Sequence, residues 1–147
     1  WYIAQDNDGA MYFANSGGIL MYDGTHWQVV FTETASVVRS LFKASDGKIY
    51  VGGKTDIGYL EKNKFGATIF KSLGHLLPAS CKNFTNVWTV YETPEGIVFP
   101  TQKHSFFYKN GKIKVLVNKP MMEYGFVVNN TLYGQSAEGK LYNTSLN

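Results

Sequence analysis

The chain has 147 residues, 44% of them hydrophobic and 17% charged, which is the composition of one globular domain and excludes a disordered chain. Its net charge of +3 comes with 14 scattered basic residues, so no basic face that grips nucleic acid is expected. The single cysteine, Cys81, excludes an internal disulfide or a thiolate metal cluster, and no apolar run approaches the ~20 residues of a membrane helix.

Aromatics make up 16% of the chain and glycines number 15, a combination that favours strands joined by tight turns. The chain opens on Trp1 rather than Met, as expected of a mature or partial chain. Taken in order, four units emerge. The first, 1–35, runs from a strand through Ile3 to a turn at Asp8-Gly9 and then a strand over Met11 and Tyr12. A loop at Asn15-Ser16-Gly17 leads to a strand ending at Tyr22, a turn at Asp23-Gly24, and a last strand from His26 to Phe31. The second unit, 36–84, repeats the order: Arg39 and Leu41, Asp46-Gly47, Ile49 and Tyr50, the loop Lys54-Thr55-Asp56, Tyr59, Lys62-Asn63, and a strand from Ala67 to Ser72. The third, 85–121, offers Trp88 and Val90, Glu95-Gly96, Val98 and Phe99, the loop Gln102-Lys103-His104, Tyr108, Asn110-Gly111, and a strand from Lys112 to Val117. The fourth, 122–147, has Asn129-Asn130, Leu132 and Tyr133, the loop Gln135-Ser136-Ala137 and Tyr142, and stops short of its outer strand.

Aligned on the turn residues at 9, 47, 96 and 130, the units are 38, 49 and 34 residues apart. The long step places an insertion at Ser72–Phe84, with a short helical turn expected before Pro78. In this alignment Tyr12, Tyr50, Phe99 and Tyr133 share one position, expected to be core between units, and Trp1 and Trp88 share another packing position. Tyr22, Tyr59, Tyr108 and Tyr142 recur at a near-fixed distance downstream. Four short antiparallel strands in about 40 residues describe a β-propeller blade. The expected fold is therefore all-β: about three complete four-stranded blades and part of a fourth, in one partial propeller domain spanning 1–147. A sandwich or an up-and-down barrel is the alternative.

Most motif-like chemistry resolves into turns. The run Asp6-Asn7-Asp8-Gly9 imitates the start of a calcium loop but lacks the glutamate at its twelfth position, and Asp8 and Asp23 are expected to shape turns through side-chain-to-backbone bonds. Gly17-Gly18 is followed by no Lys-Ser/Thr, so it is no phosphate loop. His26, His75 and His104 fall at unrelated positions, which gives no zinc site. The 11 carboxylates sit mostly at turns, no Gly-x-Ser-x-Gly elbow is present, and Cys81 reads as a buried bystander. No cofactor, metal or catalytic residue is expected. Asn-x-Ser/Thr sequons stand at Asn83, Asn129 and Asn143. What does not repeat is the set of loops joining second and third strands. Antiparallel geometry puts these on one rim, and Asn15, Lys54, Asp56, Gln102, His104 and Gln135 are its candidate ligand-binding residues.

Two stretches carry a family likeness. "WYIAQDNDGAMYFANSGGILMYDGTHWQ" (Trp1 to Gln28) and "VVRSLFKASDGKIYVGGKTDIGYLE" (Val37 to Glu61) resemble the first blades of a two-component-regulator propeller, with repeats of the form aliphatic–x–x–Asp–x–x–Gly–x–aliphatic–aromatic, then Gly–aliphatic–x–x–Tyr. Unit two matches through Asp46, Gly47, Ile49, Tyr50, Gly58 and Tyr59. Units three and four depart from the pattern, with Pro100 at a strand position and Asn130 in place of the turn glycine. The resemblance implies a periplasmic, non-catalytic sensor region of a bacterial signalling protein, binding a small-molecule or oligosaccharide signal and self-associating. It also implies a triple-tyrosine domain, a membrane helix and a kinase or helix-turn-helix output elsewhere in the full-length protein, with no nucleic-acid contact by this region. A propeller enzyme acting on polysaccharide (a lyase or a glycosidase) and a protein-interaction propeller are the competing functions.

Overall fold

In the computed structural model, which describes residues 2–144, the chain forms fifteen strands in four separate antiparallel sheets. Sheet 1 contains β1 (Ile3–Gln5), β2 (Met11–Asn15), β3 (Gly18–Tyr22) and β4 (Trp27–Val30). Sheet 2 contains β5 (Val38–Lys43), β6 (Ile49–Gly53), β7 (Ile57–Lys62) and β8 (Thr68–Ser72). Sheet 3 contains β9 (Tyr91–Thr93), β10 (Gly96–Pro100), β11 (His104–Lys109) and β12 (Lys112–Val117), and sheet 4 contains β13 (Tyr124–Val128), β14 (Thr131–Gln135) and β15 (Leu141–Thr144). Each sheet is a meander in chain order, and none closes into a barrel. The expected insertion carries two single turns of 3-10 helix, Gly74–Leu76 before Pro78 and Ala79–Cys81 after it. Trp1 lies outside the described residues.

The first hairpin of each sheet follows from its turn chemistry. In sheets 1 and 2 three residues bridge the strands, Asn7-Asp8-Gly9 and Ser45-Asp46-Gly47. Both glycines take the positive φ that the last turn residue requires, 91° and 81°. An aspartate fixes each turn. Asp46 Oδ1 accepts the Lys48 N–H at 3.0 Å, and Asp6 Oδ1 accepts the N–H groups of Asp8 and Ala10 at 2.9 Å. The turn-shaping residue in sheet 1 is therefore Asp6, not Asp8. Sheets 3 and 4 use two-residue turns, Pro94-Glu95 and Asn129-Asn130. Both asparagines have positive φ, 47° and 61°, in the manner of a type I′ turn.

This difference in turn length corrects the alignment. Gly96 is the first residue of β10, paired with Thr93, rather than the last residue of a turn. The residue equivalent to Tyr12, Tyr50 and Tyr133 is consequently Val98. Tyr12 packs on sheet 2, Tyr50 packs on sheet 3, and Val98 packs on sheet 4, each toward the sheet that follows in the chain. Phe99 points the other way, its ring centroid 6.3 Å from that of Tyr50. A one-residue offset exchanges the two faces of a strand because side chains alternate. The evenly spaced tyrosines are likewise not one position: Tyr22, Tyr59, Tyr108 and Tyr142 lie opposite Met11, Tyr50, Ile97 and Gly134.

The cores lie between consecutive sheets. Tyr12, Ile19 and Met21 of sheet 1 meet Leu41, Ile49 and Val51 of sheet 2. Tyr50 and Ile57 meet Ile97, Phe99 and Phe106, with Cys81, Phe84 and Val87 from the insertion and its exit. Val98 and Phe107 meet Met122 and Leu132. Cys81 is buried, as expected of a bystander. The connections between sheets gather at one end of the stack, where the Lys54 N–H donates to the Val37 carbonyl, the Asn86 N–H to the Lys54 carbonyl and the Met122 N–H to the Gln102 carbonyl.

Candidate functional site

The constellation at that end begins with a β-bulge. β5 pairs Val38 with Gly53 and Ser40 with Gly52, so Arg39 is the extra, unpaired residue. A bulge re-aims the side chain it carries. Here the guanidinium carbon of Arg39 stands 4.6 Å from the ring centroid of Trp88, a cation–π contact, and Arg39 Nε–H donates to Asn86 Oδ1 at 3.1 Å. Asn86 and Trp88 come from the connection between sheets 2 and 3, which is locked onto the end of β6. Asn86 N–H donates to the Lys54 carbonyl and Val87 N–H to the Gly53 carbonyl, both at 2.9 Å, while the buried Ser40 hydroxyl donates to the Val87 carbonyl at 2.9 Å. Asn86 adopts φ 49°, a left-handed conformation that asparagine tolerates better than most residues. The approach is possible because residue 52 is glycine. A Cβ there would lie 2.5 Å from both Ser40 Oγ and Val87 Cγ1.

Trp88 divides two depressions. On one side is a pocket of about 50 Å³ lined by Tyr2, Asn15, Ser16, Val37, Val38, Arg39 and Trp88, with one cation and no carboxylate among them. Burial, and then the neighbouring Tyr91, push the Tyr2 hydroxyl above its ordinary pKa, so it stays a neutral donor. On the other side is a cleft of about 190 Å³ with Asn86, Thr89, Gln102, Glu123 and Tyr124 in its wall. There Gln102 Nε2–H donates to Glu123 Oε1 at 2.9 Å, and Thr89 Oγ1–H reaches the Gly125 carbonyl at 3.4 Å. Trp88 retains 49% of its exposure, and Tyr2 and Tyr124 are also exposed. Trp88 is therefore not the packing residue expected from the repeat, and it forms the centre of a groove across sheets 1 to 4.

Only part of the sequence-derived set belongs to this groove. Asn15 and Gln102 line it. Asn15 ends β2, and its Oδ1 accepts the Ser16 N–H at 2.6 Å. Lys54 is exposed, and its backbone holds the site together through the Val37 carbonyl and the Asn86 N–H. Asp56 is 4% exposed, and its Oδ2 accepts the Thr34 hydroxyl at 2.6 Å, the Ser36 hydroxyl at 3.2 Å and the Thr34 N–H at 3.3 Å. Those bonds fasten the connection between sheets 1 and 2, so Asp56 is a structural carboxylate. His104 is not a loop residue. It begins β11 opposite Val117, with its ring stacked on Phe106 at 6.0 Å. Gln135 ends β14, opposite Tyr124 and Leu141. Arg39, Asn86, Trp88 and Glu123 were missed. The available signal was an arginine aligned with two tryptophans, an odd residue for a packing position.

A wider cleft, about 320 Å³, lies at the opposite end between sheets 1 and 2, beside the Asp-Gly turns. Two of its polar side chains, Asp6 and Lys48, are engaged within the fold. Asp6 holds its own turn and accepts the Tyr12 hydroxyl at 2.9 Å, and Lys48 Nζ stands 4.7 Å from the Tyr59 ring centroid. Burial above all pushes the Tyr12 hydroxyl up to about 12. Among the described residues, no cluster of three or more His, Cys, Asp or Glu side chains is placed to hold a metal, and no helix is long and apolar enough to cross a membrane. No protein-family model matches the chain, and no curated protein matches it.

Proposed function

We propose that the chain is a run of propeller blades, three complete and one partial, forming the non-catalytic, ligand-binding region of a periplasmic bacterial sensor. The signal, a small molecule or an oligosaccharide, seats in the groove divided by Trp88. The observation that carries this reading is the half-exposed indole held by the bulged Arg39 at the end of the stack where the sheet connections gather. A surface indole framed by amide, hydroxyl and guanidinium groups suits a ligand with a flat apolar face and a polar edge. Binding across several sheets would bias their mutual arrangement, and so an output domain elsewhere in the full-length protein, without nucleic-acid contact by this region.

Self-association belongs to the same proposal. Leu41 and Val90, which face the preceding sheet, are each 4% exposed, whereas Ile3 at the equivalent position of sheet 1 is 62% exposed. A row of Ile3, Phe13, Leu20 and Val29 crosses that face of sheet 1, and Tyr124, Val128 and Leu141 are exposed on the far face of sheet 4. The test of the function is a thermal-shift screen against oligosaccharides with wild type and Trp88→Ala. A ligand that raises the wild-type Tm but not that of the variant supports the sensor. Cleavage of a polysaccharide, abolished by Glu123→Gln, would replace it with the propeller enzyme.

A further inference from the structure

We infer that the groove takes an anionic ligand, a carboxylate borne on a hydroxylated ring, with the carboxylate in the small pocket beside Arg39 and the ring lying across Trp88 toward the larger cleft. This rests on the ligand-binding reading above and gives it a chemical class and an orientation. The guanidinium of Arg39 has no acidic partner within ion-pair distance among the described residues. Among the described residues only its Nε–H is engaged, by a neutral amide oxygen, and neither terminal nitrogen has a partner. The side chain is nonetheless half-buried and fixed, by the bulge behind it, the indole beneath it and Asn86 at its edge. A fixed, partly desolvated guanidinium presenting its fork is the arrangement that binds a carboxylate through two parallel hydrogen bonds.

The two sides of Trp88 differ in charge, and this sets the orientation. The pocket holding Arg39 contains no carboxylate, and Tyr2, Asn15 and Ser16 add neutral donors there. Its size, about 50 Å³, admits a carboxylate but not a ring. The cleft beyond the indole carries Glu123, which repels an anion and accepts from hydroxyls, and Gln102, a neutral amide that accepts from or donates to them. An acid group is thus drawn to one side and a hydroxylated body to the other.

The experiment is an NMR titration of the indole N–H signals, with D-glucuronate, D-glucose and inorganic sulfate as probes. Trp88→Phe assigns the relevant resonance, and Trp27, on the outer face of sheet 1, is the internal control. Glucuronate is expected to shift the Trp88 signal saturably, with glucose binding at least about tenfold more weakly. Arg39→Met should remove that difference. Arg39→Lys, which keeps the charge without the fork, should retain only part of it, and Asn86→Gly should weaken glucuronate while preserving the left-handed backbone. Equal binding of glucose and glucuronate, unaffected by Arg39→Met, overturns the anionic class and leaves the ring-binding groove standing. Sulfate binding as tightly as glucuronate overturns the ring component. No response of Trp88 to glucuronate in the folded protein overturns the inference, while the oligosaccharide screen with Trp88→Ala decides the ligand-binding reading separately.

Discussion

Arg39 belongs to sheet 2 and Trp88 to the connection that leads on to sheet 3, yet the guanidinium carbon of one stands 4.6 Å from the ring centroid of the other, with Asn86 bonded to the same guanidinium. Stacking at a half-exposed site contributes only ~0.5–1 kcal/mol. Arg39→Ala is therefore expected to lower unfolding stability by no more than ~1 kcal/mol in urea titration, while shifting the fluorescence of Trp88. A loss of ~3 kcal/mol or more would make Arg39 a support of the core rather than a group presented to solvent.

The close approach of Val87 to Gly52 makes a second expectation. Gly52→Ala places a methyl group against Ser40 Oγ and Val87 Cγ1. Overpacking of this kind costs ~1–3 kcal/mol. Because the displaced segment carries Asn86 and Trp88, the variant should also lose ligand-induced changes at Trp88. Gly53→Ala, where a Cβ would meet the Val37 carbonyl at 3.0 Å, makes a milder comparison. An unaltered Trp88 environment in folded Gly52→Ala would show that the connection is positioned by something else.

Tyr12 and Tyr50 are expected to make the fold sensitive to alkali. Burial chiefly raises both hydroxyls, Tyr12 to about 12 and Tyr50 further, and each donates to a turn aspartate, Asp6 and Asp46, at 2.9 Å. A phenol whose folded pKa lies above its unfolded value of ~10 stabilises the fold fully below pH ~10, and that contribution is lost as pH rises through the folded value. Stability measured by denaturant titration should therefore fall from about pH 10 upward. Replacing both by Phe should cost roughly 1 kcal/mol per lost bond at neutral pH and flatten the fall above pH ~10. An equally steep alkaline loss in Tyr12→Phe/Tyr50→Phe would assign it to other groups.

The outer face of sheet 1 offers a fourth measurement. Phe13→Glu and Val29→Lys alter side chains that cover no neighbouring sheet here, so each should change monomer stability by only ~0.5 kcal/mol. Light scattering over a concentration series should show wild-type association that either variant reduces. A wild-type mass independent of concentration would remove self-association through this face.

Strand order, the four units and the incomplete fourth sheet were legible in the sequence because turn glycines and alternating apolar residues report local geometry directly. One misassignment follows from the turns themselves. Spacing was counted from a glycine, and Gly96 has changed its role from turn residue to strand residue, so Phe99 was assigned to the wrong face. The site was harder to read. Trp88 looks like any core aromatic until the bulge at Arg39 is known, and a bulge is a property of pairing between strands rather than of the residue that bulges. Asp56 shows the reverse: a polar loop residue in sequence, it is consumed by Thr34 and Ser36 some 20 residues earlier in the chain.

The unequal turns of the four hairpins bear on how such a chain can drift. Turn length here is a free variable, because a three-residue and a two-residue turn both return the next strand with the same side chains facing the same neighbour. Strand phase is not free, since one residue gained within β6 or β10 would present every later side chain of that strand to the wrong sheet. Insertions and deletions are thus tolerated at the turns and screened out between them. A repeat that is intact in space can in this way lose its fixed period in sequence.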